Sequence, residues 1–340
     1  VIAVREGKGR EGIGLPTSSV AGHFAAFAAE QKYSGVILAA RAEEILFLQA
    51  YGMASFEHGV PNRPDTKFYT ASLTKPVTAM AALILLEQGK LELHQPARRY
   101  LPELGWIDER ITVHQLLTHT SGIPDFETLP GFAEQYQMVL YQGLRILELI
   151  RDLPPDFEPG TGWRYSNTGY NLLGLIIERL AGISYEQFVR EHIFGPLGMS
   201  DTDFGDDRSV IQGLASGYSR EEQTGRLVKA AYFRIENFRA SGHMVSTAED
   251  LLKWSRSLDS EEILREETLR LMFTPHASVS PQRSYGYGWS IYEGSRGHDG
   301  WLPGYWCRFR QYPRERITVI LLGNHDHTKE SGVLSPAVFL

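Results

Sequence analysis

Strand-like stretches occupy the two ends of this 340-residue chain and helical ones its middle, and that order constrains the fold more than any other feature. Near the start, Gly35–Ala40 and Ile45–Ala50 flank a turn at Arg41-Ala42-Glu43-Glu44. Toward the other end, Tyr285–Tyr292, Tyr305–Tyr312 and Ile317–Leu322 read as strands, the last two joined by a turn at residues 313–316. Between them, an apolar run from Ser72 through Leu86 predicts a buried helix that stops at Gly89. Asn171–Leu180 predicts another helix, ended by Gly182. Thr112-x-x-Gln115, Ser184-x-x-Gln187 and Ser246-x-x-Glu249 resemble capping boxes ahead of further helices. Residues 17–31 read as a short helix with Val20, Phe24 and Phe27 on one face, and 331–340 as a closing one. Strands far apart in sequence share a sheet most economically if both termini build it. The expected class is therefore α+β (an α/β sandwich), with one antiparallel sheet flanked by the first and last helices. Residues 17–70 and 284–340 would form that sheet sub-domain, 71–283 an inserted, mainly helical sub-domain, and 1–16 a Gly- and charge-rich leader. A binding groove is expected at the junction.

Composition excludes several partners. Hydrophobic residues make up 42% of the chain, enough for one large core or two sub-domains sharing an interface. The net charge of −7 is spread out, with no basic block to neutralise a phosphate backbone, so no nucleic-acid partner is expected. No apolar run approaches the ~18 residues of a membrane span. Cys307 is the only cysteine, which rules out an intrachain disulfide and leaves the redox compartment open. No signal-peptide pattern opens the sequence, so the localisation is undetermined from composition.

The chemistry resides in three short motifs. Ser72-Leu73-Thr74-Lys75 opens the buried helix. Three residues apart on a helix, a hydroxyl and an amine lie with Cβ atoms ~5–6 Å apart. The amine can take the hydroxyl proton if neutral, or stabilise an anion if charged, beside the positive end of the helix. Tyr165-Ser166-Asn167 follows a turn-rich Pro159–Gly162 stretch and brings a phenol whose ionisation a nearby lysine cation would favour. His298-Asp299-Gly300 lies in a Gly-rich stretch between strands. Gly300 would let a substrate approach the backbone, and the N–H of Trp301 would pair with that of Ser72 as an oxyanion hole. Each motif also has a plain reading: a serine cap, an asparagine cap with a packed tyrosine, and an ordinary turn with an exposed histidine.

Taken together and in this order, the motifs resemble the serine β-lactamase and penicillin-binding-protein superfamily, above all the branch of class C β-lactamases, D,D-peptidases, D-aminopeptidases and β-lactamase-type esterases. The likeness extends to Leu116–Pro124, Pro159–Tyr170, Pro196–Met199, Ala240–Met244 and Gly286–Trp289, and covers roughly residues 20–325. The resemblance implies a β-lactamase/transpeptidase-like fold and an acyl-enzyme on Ser72. Lys75 and Tyr165 would share the general-base work, and water would release the acyl group. Asn167 would bind the substrate amide or hold Lys75, and His298 would hydrogen-bond Tyr165 or help bind an anion. It implies no cofactor, and a small ester, amide or peptide substrate. It favours a secreted or periplasmic location over a cytoplasmic one. Asp299 stands where carboxylate-binding relatives carry Ser or Thr. Facing the groove it would repel a carboxylate, unless Arg308 or Arg310 on the next strand restores anion binding. Phe126, Trp163 and Trp301 would give the groove an aromatic wall.

Two other readings compete: a penicillin-binding D,D-carboxypeptidase or class C-type β-lactamase, and an inactive scaffold or binding homologue. Retention of Ser72, Lys75, Tyr165 and Asn167 weighs against the scaffold. Gly7-x-Gly9-x-x-Gly12 lacks the strand and helix of a dinucleotide fold. His325-Asp326-His327 has no third ligand nearby, so no metal is expected. No Gly-x-Ser-x-Gly elbow is present.

Overall fold

The computed structural model describes residues 17–325, apart from 31, 133–134, 136, 142–144 and 222. The expected leader, the closing helix and the two glycine-rich and histidine motifs at the chain ends therefore lie wholly or partly outside the described residues.

Helix α1 (Thr17–Glu30) precedes strands β1 (Gly35–Arg41) and β2 (Glu44–Tyr51). Helices α2 (Thr74–Glu87), α3 (Val113–Thr118), α4 (Asn167–Ala181) and α5 (Ala248–Ser257) dominate the middle. Six strands follow: β3 (Ala277–Ser280), β4 (Arg283–Tyr285), β5 (Ser290–Tyr292), β6 (Ser295–Leu302), β7 (Tyr305–Tyr312) and β8 (Ile317–Gly323). Strands β1 to β8 form one antiparallel sheet in the order β3-β4-β5-β6-β7-β8-β1-β2, so the two ends of the chain meet where β8 pairs with β1. The mixed architecture expected from the order of elements is the one observed.

β1 is apolar along nearly its whole length because it is covered on both faces. Alternate residues point to opposite sides. Ile37 and Ala39 join Phe24 and Phe27 of α1 in a small outer core, while Val36 and Leu38 join the large core shared with the helices. α2 passes through that large core, and every residue from Thr74 to Leu85 is buried. Such a helix cannot carry a polar residue without a function or a partner to satisfy it.

Several elements differ from their sequence reading. Tyr285–Tyr292 is two strands rather than one. Between them Gly286 N–H donates to the Trp289 carbonyl at 2.8 Å, and Gly288 takes φ +78°, where a Cβ would meet Pro76 Cα at 2.9 Å. The chain must double back there to pass over the first turn of α2. The stretch from Gly294 to Gly304 is not a turn region: it contains the eight-residue strand β6. α4 starts at Asn167, four residues early, because Ser166 supplies the cap by accepting from Gly169 N–H. α5 is capped by Thr247 through Asp250 N–H, one residue after the expected Ser246, whose hydroxyl instead bonds Thr202 at 2.7 Å. The box at Thr112 and Gln115 forms reciprocally, as read.

Candidate active site

Where the sheet meets the helical body lies an open groove of about 880 Å3, and Ser72 stands on its wall. Ser72 sits in a short 3-10 turn, Ala71–Leu73, that leads into α2. Ala71 holds φ +50°, a region that residues with a Cβ seldom occupy, directly before the hydroxyl. The turn is anchored from behind, where Thr70 N–H donates to the Met244 carbonyl at 2.9 Å.

Lys75, the second residue of α2, is wholly buried. Its Nζ lies 3.1 Å from Ser72 Oγ, 2.7 Å from Asn167 Oδ1 and 2.8 Å from the Ser241 carbonyl. Two of these three neighbours are carbonyl oxygens, which only accept. A neutral amine has two N–H bonds and one lone pair, so the two carbonyls take the N–H bonds. The lone pair is left facing the one neighbour that owns a proton, Ser72. Burial depresses the Lys75 pKa to about 7, against the upward pull of Asp125 and Glu127, so neutral and charged forms coexist near neutrality.

Asn167 is oriented in its turn by two carboxylates. Its Nδ2 donates to Glu127 Oε2 at 2.5 Å, which turns Oδ1 toward Lys75, and its backbone N–H donates to Asp125. Asp125 also accepts from Glu127 N–H at 2.9 Å. Burial raises the carboxyl pKa of both residues, and Asp125 adds to the effect on Glu127, which reaches about 7. Glu127 still meets the water of the groove, whereas Asp125 is enclosed. Neither carboxylate was singled out in the sequence. Both follow directly on Gly122-Ile123-Pro124, and an acid pair two residues apart after that stretch was the available signal.

Tyr165 lies beside the lysine, with Nζ 4.5 Å from the ring centroid. Its buried hydroxyl makes no well-formed hydrogen bond, although it lies near enough to Ser72 to feel it. Burial and neighbouring Tyr285 push its pKa well above the ordinary phenol value, and Ser72 pulls only weakly the other way. The expected drop toward phenolate is thus reversed, because desolvation dominates.

The opposite wall is β6. Gly300 is a glycine because the strand presses on the turn that carries Ser72: a Cβ there would meet the Thr70 carbonyl oxygen at 2.3 Å and Ala71 Cβ at 3.1 Å. What approaches Gly300 is this chain's own backbone rather than a substrate, and the contact carries Trp301 alongside the Ser72 turn. Trp301 is 57% exposed at the mouth of the groove. Asp299 does not confront the groove as a lone charge. Arg308, directly across the β6–β7 pair, donates to it twice, at 2.8 and 2.6 Å. Burial alone would raise that carboxyl, but Arg308 and Arg310 hold it below its ordinary value. With its charge met by Arg308, Asp299 does not face a carboxylate as the lone repelling charge expected from the sequence. His298 is buried, and both ring nitrogens are engaged, Nε2 by Tyr285 and Nδ1 by the Asp299 carbonyl. Trp163 lines the groove as expected, whereas Phe126 is core, packed on Phe132 and Phe238.

Among the described residues no group of three or more His, Cys, Asp or Glu is placed to hold a metal ion, and no helix is long and apolar enough to cross a membrane.

Comparison with known proteins agrees in family and fold. The family described as Beta-lactamase matches residues 20–339. A penicillin-binding protein of Bacillus subtilis (strain 168) is 30% identical over 319 residues, 88% of this chain and 70% of its own length. The esterase EstB of Burkholderia gladioli is 37% identical over 183 residues, 50% of this chain and 46% of its own. Among solved structures, a D-amino acid amidase from Ochrobactrum anthropi SV3, complexed with L-phenylalanine, superposes with a TM-score of 0.82 at 26% identity, covering 94% of this chain and 95% of that one.

Proposed function

We propose that this chain, which belongs to the Beta-lactamase family, is a serine hydrolase that cleaves an ester or amide bond through an acyl-enzyme on Ser72. The observation that carries this reading is the hydrogen-bond set of Lys75. Two carbonyl acceptors aim the lysine lone pair at the serine hydroxyl, and the amine is depressed to about 7. Relatives named as esterase and amidase support a hydrolytic outcome.

In this reading neutral Lys75 accepts the Ser72 proton as Oγ bonds to the substrate carbonyl carbon, and the carbonyl π pair moves onto oxygen. The backbone N–H groups of Ser72 and Trp301 would receive that oxyanion. The intermediate collapses, the bond to the alcohol or amine breaks, and the proton held by Lys75 passes to the leaving group through the Tyr165 hydroxyl. Water then attacks the acyl carbon as its proton passes to Lys75, and that proton goes to Ser72 Oγ as the Oγ–acyl bond breaks and the acid departs. Lys75 is the base, because its pKa lies near working pH while that of Tyr165 is raised. Asn167 holds Lys75 in place, and Glu127 and Asp125 hold Asn167. An aromatic and apolar lining, with Trp163, Phe233 and Trp301, suits an acyl group with an apolar body.

The test is intact-mass analysis after treatment with a fluorophosphonate, followed by a panel of p-nitrophenyl esters, D-amino-acid amides, a D-Ala-D-Ala peptide and a chromogenic cephalosporin. One adduct on the wild type and none on Ser72→Ala is the expected result. No adduct on the wild type, or an equal adduct on Ser72→Ala, returns the chain to the scaffold reading. Turnover of the peptide or the cephalosporin alone would favour the penicillin-recognising alternative.

A further inference from the structure

Five groups outside the serine–lysine pair form a continuous line of four hydrogen bonds. The Ser166 backbone N–H donates to His119 Nδ1 at 3.2 Å. His119 Nε2 lies 3.2 Å from Tyr285 Oη, which lies 3.0 Å from His298 Nε2. His298 Nδ1 lies 2.6 Å from the Asp299 carbonyl oxygen. His119, Tyr285 and His298 are 1%, 2% and 6% exposed, so water cannot substitute for a missing bond.

Both ends of the line are backbone groups of fixed polarity. A peptide N–H only donates, so His119 Nδ1 carries no proton and its Nε2 does. A carbonyl only accepts, so His298 Nδ1 carries the proton. The Nε2–H of His119 then fills one lone pair of Tyr285, and the Tyr285 hydroxyl points its own hydrogen at the bare Nε2 of His298. Each donor meets one acceptor. Adding a proton to His119 would set an N–H against an N–H. Adding one to His298 would give Tyr285 Oη two donors and displace its own hydrogen.

We propose that His119, Tyr285 and His298 form one directional hydrogen-bond chain that locks His298 as the neutral Nδ1–H tautomer and makes it a positioning residue of the groove wall, not a ligand for substrate. The chain ties the start of α4 to β6 by way of the end of α3 and β4, four elements remote in sequence. Tyr165 is held between its two imidazoles, with ring centroids 4.4 Å from His119 and 6.0 Å from His298. What the chain positions is therefore the tyrosine and the strand at the mouth of the groove. That consequence rests on the proposed acyl transfer at Ser72, whereas the tautomers do not. Burial supports neutrality: it lowers the pKa of both imidazoles, with Lys75 adding to the effect, and His298 reaches about 4. The groups facing His298 are Lys75, Arg310, Asp299, Tyr165 and Tyr285. Those facing His119 are Lys75, His298, Tyr165, Tyr170 and Tyr285.

Long-range 1H–15N spectra of the full chain labelled at histidine test this directly, with assignment through His119→Asn. The expected result is a neutral Nε2–H pattern for His119 and a neutral Nδ1–H pattern for His298, both unchanged from pH 8 to pH 6. An Nε2–H pattern for His298, or a cationic one at pH 6, overturns the proposal. Tyr285→Phe removes two links. The Asp299 carbonyl should still hold the proton on His298 Nδ1, but Nε2, freed of its donor, should shift in resonance and take a proton more readily, moving the pKa toward the reference ~6.5. The kcat of the variant should fall about tenfold with KM little changed, and its pH profile should gain a limb near that value. Unchanged His298 resonances in Tyr285→Phe also overturn the proposal, and if the variant does not fold, the wild-type spectrum decides alone. Expected tautomers in a protein that forms no fluorophosphonate adduct would leave the chain standing and reject only the acyl-transfer reading.

Discussion

The two walls of the groove handle charge in opposite ways. On the α2 side, Lys75, Asp125 and Glu127 are crowded together with their pKa values pushed toward one another, two of them to about 7. On the β6 side, Asp299 is closed by Arg308 and His298 is fixed by a tyrosine and a carbonyl. One wall is poised to exchange protons near neutrality, and the other has its aspartate and its histidine saturated. Burial is common to both, so burial alone does not make a group reactive. What differs is whether its partners leave a proton acceptor facing the reacting atom. Lys75 keeps a lone pair toward Ser72, while His298 keeps none.

The contrast breaks most sharply at Lys75. In Lys75→Met the side chain keeps its length but loses the base, and kcat/KM should fall about 1000-fold in stopped-flow or steady-state ester assays. A loss of only a few-fold would move the base elsewhere, with Tyr165 the next candidate.

Glu127→Gln sharpens the comparison by shifting rather than abolishing. In the wild type, kcat/KM should rise with pH through about 7, because the active amine appears as Lys75 loses its proton. The two groups titrate in one window, so the apparent value belongs to the pair. Glu127 holds Lys75 up, hence removing its charge should move the limb to lower pH, while the glutamine oxygen still accepts from Asn167. A pH–rate profile that loses the limb altogether would assign it to the carboxylate instead.

The smallest effect is expected on the saturated wall. Asp299 retains 38% side-chain exposure, so its ion pair is screened, and Arg308→Met should cost about 1 kcal/mol at pH 7 in urea unfolding. The folded pKa of Asp299 lies below its unfolded value near ~3.9, so the pair stabilises above that pH and the difference between variant and wild type should vanish as pH falls through the folded value. The neutral-pH limb of kcat/KM should stay in place. A limb displaced as far as in Glu127→Gln would erase the distinction between the walls.

Much of this was legible before any coordinates. β7 runs over the residues read as a strand, and β1 and α2 are where their apolar runs put them, because run length answers to burial. Boundaries set by a single cap were less secure: Thr247 replaced Ser246 because both can accept and only the register of the preceding strand chose between them. β6 was hidden because its glycines read as turn residues, when Gly300 is there to admit Thr70.

For the site, the sequence by itself settled what lies within one helical turn: Ser72 and Lys75 meet because they stand three residues apart across the 3-10 turn and the start of α2. It could not settle which state the lysine holds, since that depends on Asn167 and Ser241, 92 and 166 residues away. Nor could it place Asp125 and Glu127 beneath Asn167, nor give His298 the tautomer proposed for it, which follows from a line of bonds running from the Asp299 carbonyl to the backbone of Ser166. The reason is physical: spacing along the chain governs short-range geometry, whereas protonation follows desolvation and partner polarity, and both exist only once remote segments have closed around the same few atoms.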